Sequence, residues 1–487
     1  MDIRCQNLIG GTFSDGAATV ANLSPADGAV LGSRPDSGRD EANAAVAAAK
    51  QAQKGWAQIT PPARGAALFR LVSLLERDAE KLARTLSLEE GKILPEARGE
   101  VGKTIRYVQF AAGDCRRMTG ITHPSEVAGT LGMTMWRPLG VVGLITPWNF
   151  PVCIPLWKIA PAIAAGNAVV LKPAPETPAT AHLIAELCLE AGIPEGVVNV
   201  VHGDAEPAKA LVEHPDVVAI SFTGSTEVGL MLEGMCAKRH KRVQCELGGK
   251  NPLIVLNDAD VGLAAAACAM GAFGSTGQRC TATSRAIVQS GVADEFVAAV
   301  AEAARAVRAG HPLDEATTMG PSISERQLAQ VLKYMELGKG EADLVTGGTR
   351  LGGALGTGFF PEPTVFDHVA ADARIATEEI FGPVLSVVRV DTLDQAISAA
   401  NGVRYGLTGS VFTNNLQDAF HVIEHLETGM THVNNPTVGG EAHMPFGGIK
   451  DTGVGAREMG PDAWKFYAEE KTVYINYGGA ARKGNLF

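Results

Sequence analysis

The sequence predicts an α/β protein of two domains, each built on a parallel, doubly wound sheet. Three observations predict it. The chain has 487 residues, and at about 100–200 residues per domain that length makes two or three domains. Between Val141 and Gly229, short apolar runs alternate with helical patterns at the spacing of strand–helix–strand units. After Glu246 the alternation starts again.

Taken in order, residues 1–35 carry two short β-like pieces, around Ile9-Gly10-Gly11 and Ala29-Val30-Leu31. Asp40 can cap a long alanine-rich helix that ends near Trp56 and is broken by Pro61-Pro62. A second amphipathic helix is expected over 64–88 and a third over 95–118. TLGMTMWRP is a strand, and VVGLI is another that runs into the turn TPWNFP. Helices over 157–165, 179–191 and 207–214 alternate with strands at 168–171, 196–201 and 217–222, and TGSTEVG opens a further helix. In the second domain, a strand at 253–256 precedes Asp258 to Asp260, which cap an apolar helix. Strands at 286–288, 384–390 and 409–412 alternate with helices at 293–309, 393–401 and 416–426. The last strand is expected at 472–477.

Apolar residues make up 46% of the chain and charged residues 20%, ordinary for a protein with a large core. The net charge of −11 argues against nucleic acid and anionic membrane, which select basic patches. MDIRCQNLIGG lacks an apolar core of signal-peptide length, and the near-apolar run 261–273 is too short to span a bilayer. The eight cysteines form no CxxC and read as reduced thiols of a cytoplasmic protein. The eleven histidines never fall at metal-ligand spacing, so no metal is implied.

Cys280 sits among small residues in GSTGQRCTATSR, a setting that suits a nucleophilic thiol. Asn149 follows a strand directly, where ligands sit in open α/β sheets. Its amide can donate to a developing oxyanion, or it simply caps a turn. Lys172 ends a strand and suits a ribose or phosphate, or is a solvated lysine. Gly224 and Ser225 follow the strand VVAISF and open a helix, an anion site by geometry but not the usual dinucleotide fingerprint. Glu246 in CELGGKNP can activate a water as general base. Glu379 and Phe381 offer a further carboxylate and an aromatic ring near a turn. Jointly these residues fit one reaction: a thiol attacks a carbonyl, an amide steadies the oxyanion, a dinucleotide takes a hydride, and a glutamate activates water.

With those residues in view, the sequence resembles the aldehyde dehydrogenase superfamily over nearly its whole length. The segments TPWNFP (146–151), LKPAPETP (171–178), FTGSTEVG (222–229), ELGGKNP (246–252), GQRC (277–280), EEIFGPV (378–384) and MPFGGIKDTG (444–453) stand in the family's order. The resemblance implies Cys280 as nucleophile, Glu246 as general base, and Asn149 as oxyanion donor together with the Cys280 backbone N–H. It implies Lys172 at the adenosine ribose, Gly224 and Ser225 at the pyrophosphate, Trp148 along the dinucleotide, and Glu379 and Phe381 at the nicotinamide ribose and ring. Phe150, Trp157 and Phe446 match aromatics of the aldehyde tunnel. NAD-dependent relatives often carry an acidic residue three positions after the lysine. Here that position is Pro175 and the glutamate is Glu176, so the cofactor is expected to be NAD or NADP.

The implied architecture is a Rossmann-like NAD(P)-binding domain (1–117 and 139–248, with a return at 451–465) and a catalytic domain (249–450). Residues 118–138 and 466–487 form an oligomerisation arm and tail, giving a homodimer or homotetramer. The tail would run over a partner subunit and dock Leu486 and Phe487, with Arg482 or Lys483 meeting its acidic surface. The implied substrate is a small aldehyde, by likeness a short semialdehyde that carries a carboxylate. Arg116, Arg117, Arg279 and His443 are candidate cations for it, and Arg279 is placed in the tunnel. The alternatives are a broad-range aliphatic or aromatic aldehyde, or a CoA-acylating relative, against which Glu246 argues.

Overall fold

A computed structural model describes residues 3–479. Its largest sheet has eight strands, in the order Gly453–Val454, Arg242–Glu246, Val217–Thr223, Val141–Ile145, Ala168–Lys172, Val198–Val200, Asn7–Ile9 and Thr12–Ser14. The five strands from Arg242–Glu246 to Val198–Val200 are parallel. The outer pairs are antiparallel. Side chains alternate between two faces along a strand, and each face here meets its own core. Val142, Leu144, Val169 and Leu171 pack into one cluster, while Val141, Ile145, Ala168 and Val170 pack into another. Burial on both faces is why VVGLI and AVVLK read as unbroken apolar runs.

The second sheet has seven strands, in the order Asp343–Thr346, Thr364–Asp367, Val384–Val390, Thr283–Gln289, Asn251–Val255, Thr408–Phe412 and Met430–Val433. All its pairs are parallel except the one made by Asp343–Thr346. It too separates two cores, with Leu253 and Val255 on one side and Ile254 and Leu256 on the other. A third, antiparallel sheet joins Thr122–Pro124, Thr130–Pro138 and Ala468–Asn476, and the last two strands pair over nine consecutive residues.

Several elements differ from expectation. The helix expected over 64–88 is two helices, Pro61–Arg77 and Ala79–Glu90, broken at Asp78. Pro61 and Pro62 open the first of them, because an N–H in the first helical turn has no intrahelical acceptor and its loss costs no helix hydrogen bond. The helix expected from Trp157 begins at Cys153. The last strand starts at Ala468, not residue 472. The helix Glu325–Glu341 and the strand Arg242–Glu246 were not foreseen; RVQCE has no apolar run to announce it. The docking expected of Arg482, Lys483, Leu486 and Phe487 lies outside the described residues. Among the described residues, no helix is long and apolar enough to cross a membrane.

Candidate functional site

Six of the candidate residues stand where neighbouring parallel strands end. Lys172 is in register with Ile145, Ile145 with Phe222, and Thr223 with Glu246. Strand polarity thus brings Trp148 and Asn149, Lys172, Gly224 and Ser225, and Glu246 to one edge, the edge at which open α/β sheets bind ligands. The helix Thr226–Ala237 starts there with Ser225 as its N-cap, the Ser225 hydroxyl accepting from the Val228 N–H. Its first N–H groups and dipole face the cleft.

Cys280 reaches this edge from the other domain on a constrained loop. Ser275, Thr276 and Gly277 all have left-handed backbone, with φ of 50°, 58° and 66°. For the two non-glycine residues that conformation is strained, and the surroundings enforce it. The Ser275 N–H donates to Glu96 Oε1 at 2.8 Å, and the Thr276 hydroxyl donates to the Gly320 carbonyl at 2.9 Å. A Cβ on Gly277 would lie 2.3 Å from the Gly382 carbonyl oxygen, so only glycine fits. Asn251 Nδ2 donates to the Cys280 carbonyl at 2.7 Å. The Cys280 backbone N–H has no hydrogen bond to any described residue. Burial first, then the Glu246 and Glu379 carboxylates, push the thiol up to about 12. At rest it is protonated, and attack needs a proton acceptor.

Asn149 is buried and held at both ends. Its Nδ2 donates to the Gln278 carbonyl at 3.0 Å, two residues before Cys280, and an amide nitrogen has a second N–H to offer. Its own carbonyl accepts from Lys92 Nζ at 2.7 Å. Lys92 also donates to Glu100 Oε2 at 2.7 Å. The other oxygen of Glu100 accepts from the Val152 and Cys153 N–H groups at 3.0 and 3.1 Å, opening the helix Cys153–Ala164.

Glu246 is 4% exposed, and its Oε2 has no hydrogen-bond partner. A Cβ on Gly447 would lie 2.5 Å from its other oxygen. Burial first, then the neighbouring Glu458 carboxylate, hold its pKa well above the carboxylate range, with Lys158 and Arg457 offsetting part. Lys158 is fully buried and paired with Glu458. The Lys158 ammonium also donates to Ser221 Oγ at 2.8 Å, and Gln244 stands next to Ser221. Glu246 therefore borders a buried chain of groups able to share a proton.

Between the two domains runs a cleft of about 360 Å³, lined by Trp148, Asn149, Gly224, Ser225, Cys280, Glu379 and Phe381 among others. Trp148 and Phe381 meet edge to face, ring centroids 5.5 Å apart. Glu379 accepts from the Gly249 N–H at 2.8 Å, and burial raises its pKa to about 7. Lys172 does not line this cleft. It is buried nearby, and burial lowers its pKa to about 8, with the carboxylates of Glu176 and Asp204 holding it up in part. The helix N-terminus, the ring pair and the carboxylate in one cleft, with the Lys172 ammonium nearby, fit the phosphates, bases and riboses of a dinucleotide.

Cys280 also packs against an apolar, aromatic cluster made by the residues expected to line the aldehyde tunnel. Phe150, Trp157 and Phe446 pack with Tyr107, Met459 and Cys280 in one cluster. Trp157 lies 5.5 Å from Phe446 and 5.9 Å from Tyr107 between ring centroids. Arg279, expected in the tunnel, turns its guanidinium to Glu96 at 3.1 Å and to Ser275 at 2.8 Å, and so braces the Cys280 loop. Lys92, Glu100, Lys103, Lys158 and Glu458 were missed. Lys158 alone left a signal, as the one charge in the apolar run CIPLWKIAPAIA. Among the described residues no group of side chains could hold a metal ion.

Comparisons with known proteins meet this geometry. The model of the aldehyde dehydrogenase family matches residues 13–473. An alpha-ketoglutaric semialdehyde dehydrogenase of Bacillus subtilis is 41% identical over 475 residues, covering 96% of this chain and 97% of the relative. A 2,5-dioxopentanoate dehydrogenase of Saccharolobus solfataricus is 42% identical over 441 residues, covering 90% and 91%. The crystal structure of an NAD-dependent aldehyde dehydrogenase from Sinorhizobium meliloti superposes with a TM-score of 0.96 at 39% identity, covering 100% of this chain and 97% of the other.

Proposed function

This chain belongs to the aldehyde dehydrogenase family, and from that premise we propose that it oxidises a short, carboxylate-bearing semialdehyde to the acid with a nicotinamide dinucleotide. The observation that carries the reading is the position of Cys280, which lines the cleft with Asn149, Glu379 and Phe381 and packs against the aromatic cluster of Phe150, Trp157 and Phe446. The substrate class is inferred from the two semialdehyde-oxidising relatives.

The Cys280 sulfur attacks the aldehyde carbon, and its proton passes to Glu246. The oxyanion of the resulting thiohemiacetal is held by the free N–H of Asn149 and the unpaired backbone N–H of Cys280, each such donor lowering a barrier by about 3–4 kcal/mol. Bound in the cleft, the oxidised nicotinamide supplies a hydride acceptor. Loss of hydride leaves a thioester on Cys280. Once Glu246 has released the thiol's proton to solvent, it takes a proton from water, the water oxygen adds to the thioester carbon, and the C–S bond breaks as Glu246 returns that proton to the sulfur, so the acid leaves and one proton is released per turnover. Trp148, Lys172, Gly224, Ser225, Glu379 and Phe381 bind the cofactor, while Phe150, Trp157 and Phe446 exclude water from the aldehyde.

Glu176 acts electrostatically on Lys172, so a carboxylate stands near the adenosine ribose although Pro175 has displaced it by one residue. NAD is the favoured cofactor, with NADP use reduced by that charge. We assign residues 1–117 and 139–248 to cofactor binding, 249–450 to catalysis, and the third sheet to a dimer or tetramer contact through its open strand edges. The eight free cysteines agree with a cytoplasmic enzyme. Cys280→Ser is expected to lose at least about a hundredfold in turnover while binding the dinucleotide as wild type does, read by stopped-flow and fluorescence titration. Turnover within tenfold of wild type, about 1.4 kcal/mol, would sink the assignment.

A further inference from the structure

The aromatic cluster beside Cys280 and the lysine that lies over its Tyr107 ring carry three donors without an acceptor. Lys103 and Tyr107 are four residues apart on the helix Leu94–Asp114 and so share a face. Lys103 Nζ lies 5.7 Å from the Tyr107 ring centroid. It is half-buried and makes no ion pair or hydrogen bond with any described residue. Tyr107 is 4% exposed, and its hydroxyl has no partner. The Trp157 indole N–H, on the adjoining ring, has none either. Buried donors such as the hydroxyl and the indole N–H are rarely left unsatisfied.

Of the other basic groups nearby, Arg106 is exposed and the rest are engaged. Arg279 is held by Glu96, Arg117 by Asp114, and His443 lies 3.4 Å from Glu441. Lys103, by contrast, lines an opening of about 630 Å³ with Arg106, Arg117, Gly440 and His443. A Cβ on Gly440 would be in van der Waals contact with Nζ at 3.7 Å, so the glycine leaves about a methyl group's room beside the ammonium. Lys103 also lies within electrostatic reach of Cys280. A ligand spanning from the sulfur to this group would be polar at both ends and apolar between.

We propose that Lys103, with the Tyr107 hydroxyl and the Trp157 N–H, takes the remote carboxylate of the substrate, and that Lys103 sets the preference for acidic over neutral aldehydes. The inference rests on the semialdehyde reading above. Burial lowers the Lys103 pKa, as expected of an ammonium that gains its counter-ion only when substrate arrives. Lysine contributes a point charge with three donors on a flexible stem, so it can follow carboxylates of slightly different reach.

The test measures KM and kcat for 4-oxobutanoate and for butanal in wild type, Lys103→Met and Lys103→Arg. Lys103→Met should raise KM for 4-oxobutanoate about ten- to a hundredfold, the range of a hydrogen bond to a charged group. Its effect on butanal should be several-fold smaller, and Lys103→Arg should recover part of the loss. Lys103→Met that keeps the wild-type preference for 4-oxobutanoate overturns the Lys103 assignment and leaves the substrate class standing. Wild type that shows no preference for 4-oxobutanoate overturns the substrate class, and the carboxylate subsite with it. Equal losses on both aldehydes, with an unchanged thermal midpoint, overturn the specificity role and make Lys103 a general support of the aromatic cluster.

Discussion

Two buried ion pairs stand behind the reacting groups, and they are finished differently. Behind Asn149, Lys92 has two acceptors and Glu100 accepts three hydrogen bonds through both oxygens. Beside Glu246, Lys158 and Glu458 are just as buried, yet Glu458 Oε2 and Glu246 Oε2 have no partner. A fully satisfied network fixes geometry, whereas a half-satisfied one leaves room for a proton to change place. The first suits an amide that must not move, and the second a base that must load and unload.

The sharpest way to break this contrast is at Glu246 itself. Glu246→Gln should slow deacylation by about 10²–10⁴-fold while a burst of reduced cofactor near one per site survives in rapid-mixing traces. Equal slowing of burst and steady state would remove the base role. The static network is tested next. In Glu100→Gln an amide nitrogen must face either two backbone N–H groups or the Lys92 ammonium, at a stability cost of about 3–5 kcal/mol. A thermal midpoint within about 2 °C of wild type, under 1 kcal/mol, would show the pair to be dispensable.

Glu458→Gln should be milder, because the new amide group can occupy the oxygen position that has no partner. Its signature is in pH. The base must be ionised, so deacylation rises with pH through the elevated pKa of Glu246. Removing the Glu458 charge lowers that pKa and should move the acid limb of the rate profile to lower pH. A limb that stays in place would separate Glu458 from the base.

The sequence displayed residues that meet the ligands and hid those that support them. Asn149, Lys172, Gly224 and Glu246 stand beside apolar runs and turns, and strand ends are legible from local text. Lys92 and Glu100 act on Asn149 from 57 and on Val152 from 52 residues away, and Lys158 meets Glu458 across 300. No local pattern encodes such pairs; the sheet order creates them. Arg279 shows the reverse failure. Beside Cys280 it reads as a tunnel cation, but Glu96, 183 residues earlier, turns it away. The two-domain α/β class was legible because buried parallel strands write themselves as apolar runs. The strand that delivers Glu246 was not, since Arg242 and Gln244 interrupt it.

One feature of that strand end bears on the two half-reactions. The Glu246 carbonyl accepts from the Gly224 N–H, Leu247 donates to Thr452, Gly248 to Thr226 and Gly249 to Glu379. Four successive residues are therefore each pinned through the backbone to a different part of the chain. The carboxylate of Glu246 is then a lever on a fixed bearing: it travels by rotation about its own side-chain bonds. Rotation about those bonds moves the carboxylate alone, so the base can turn from the thiol to the water between the two half-reactions while its strand end stays fixed.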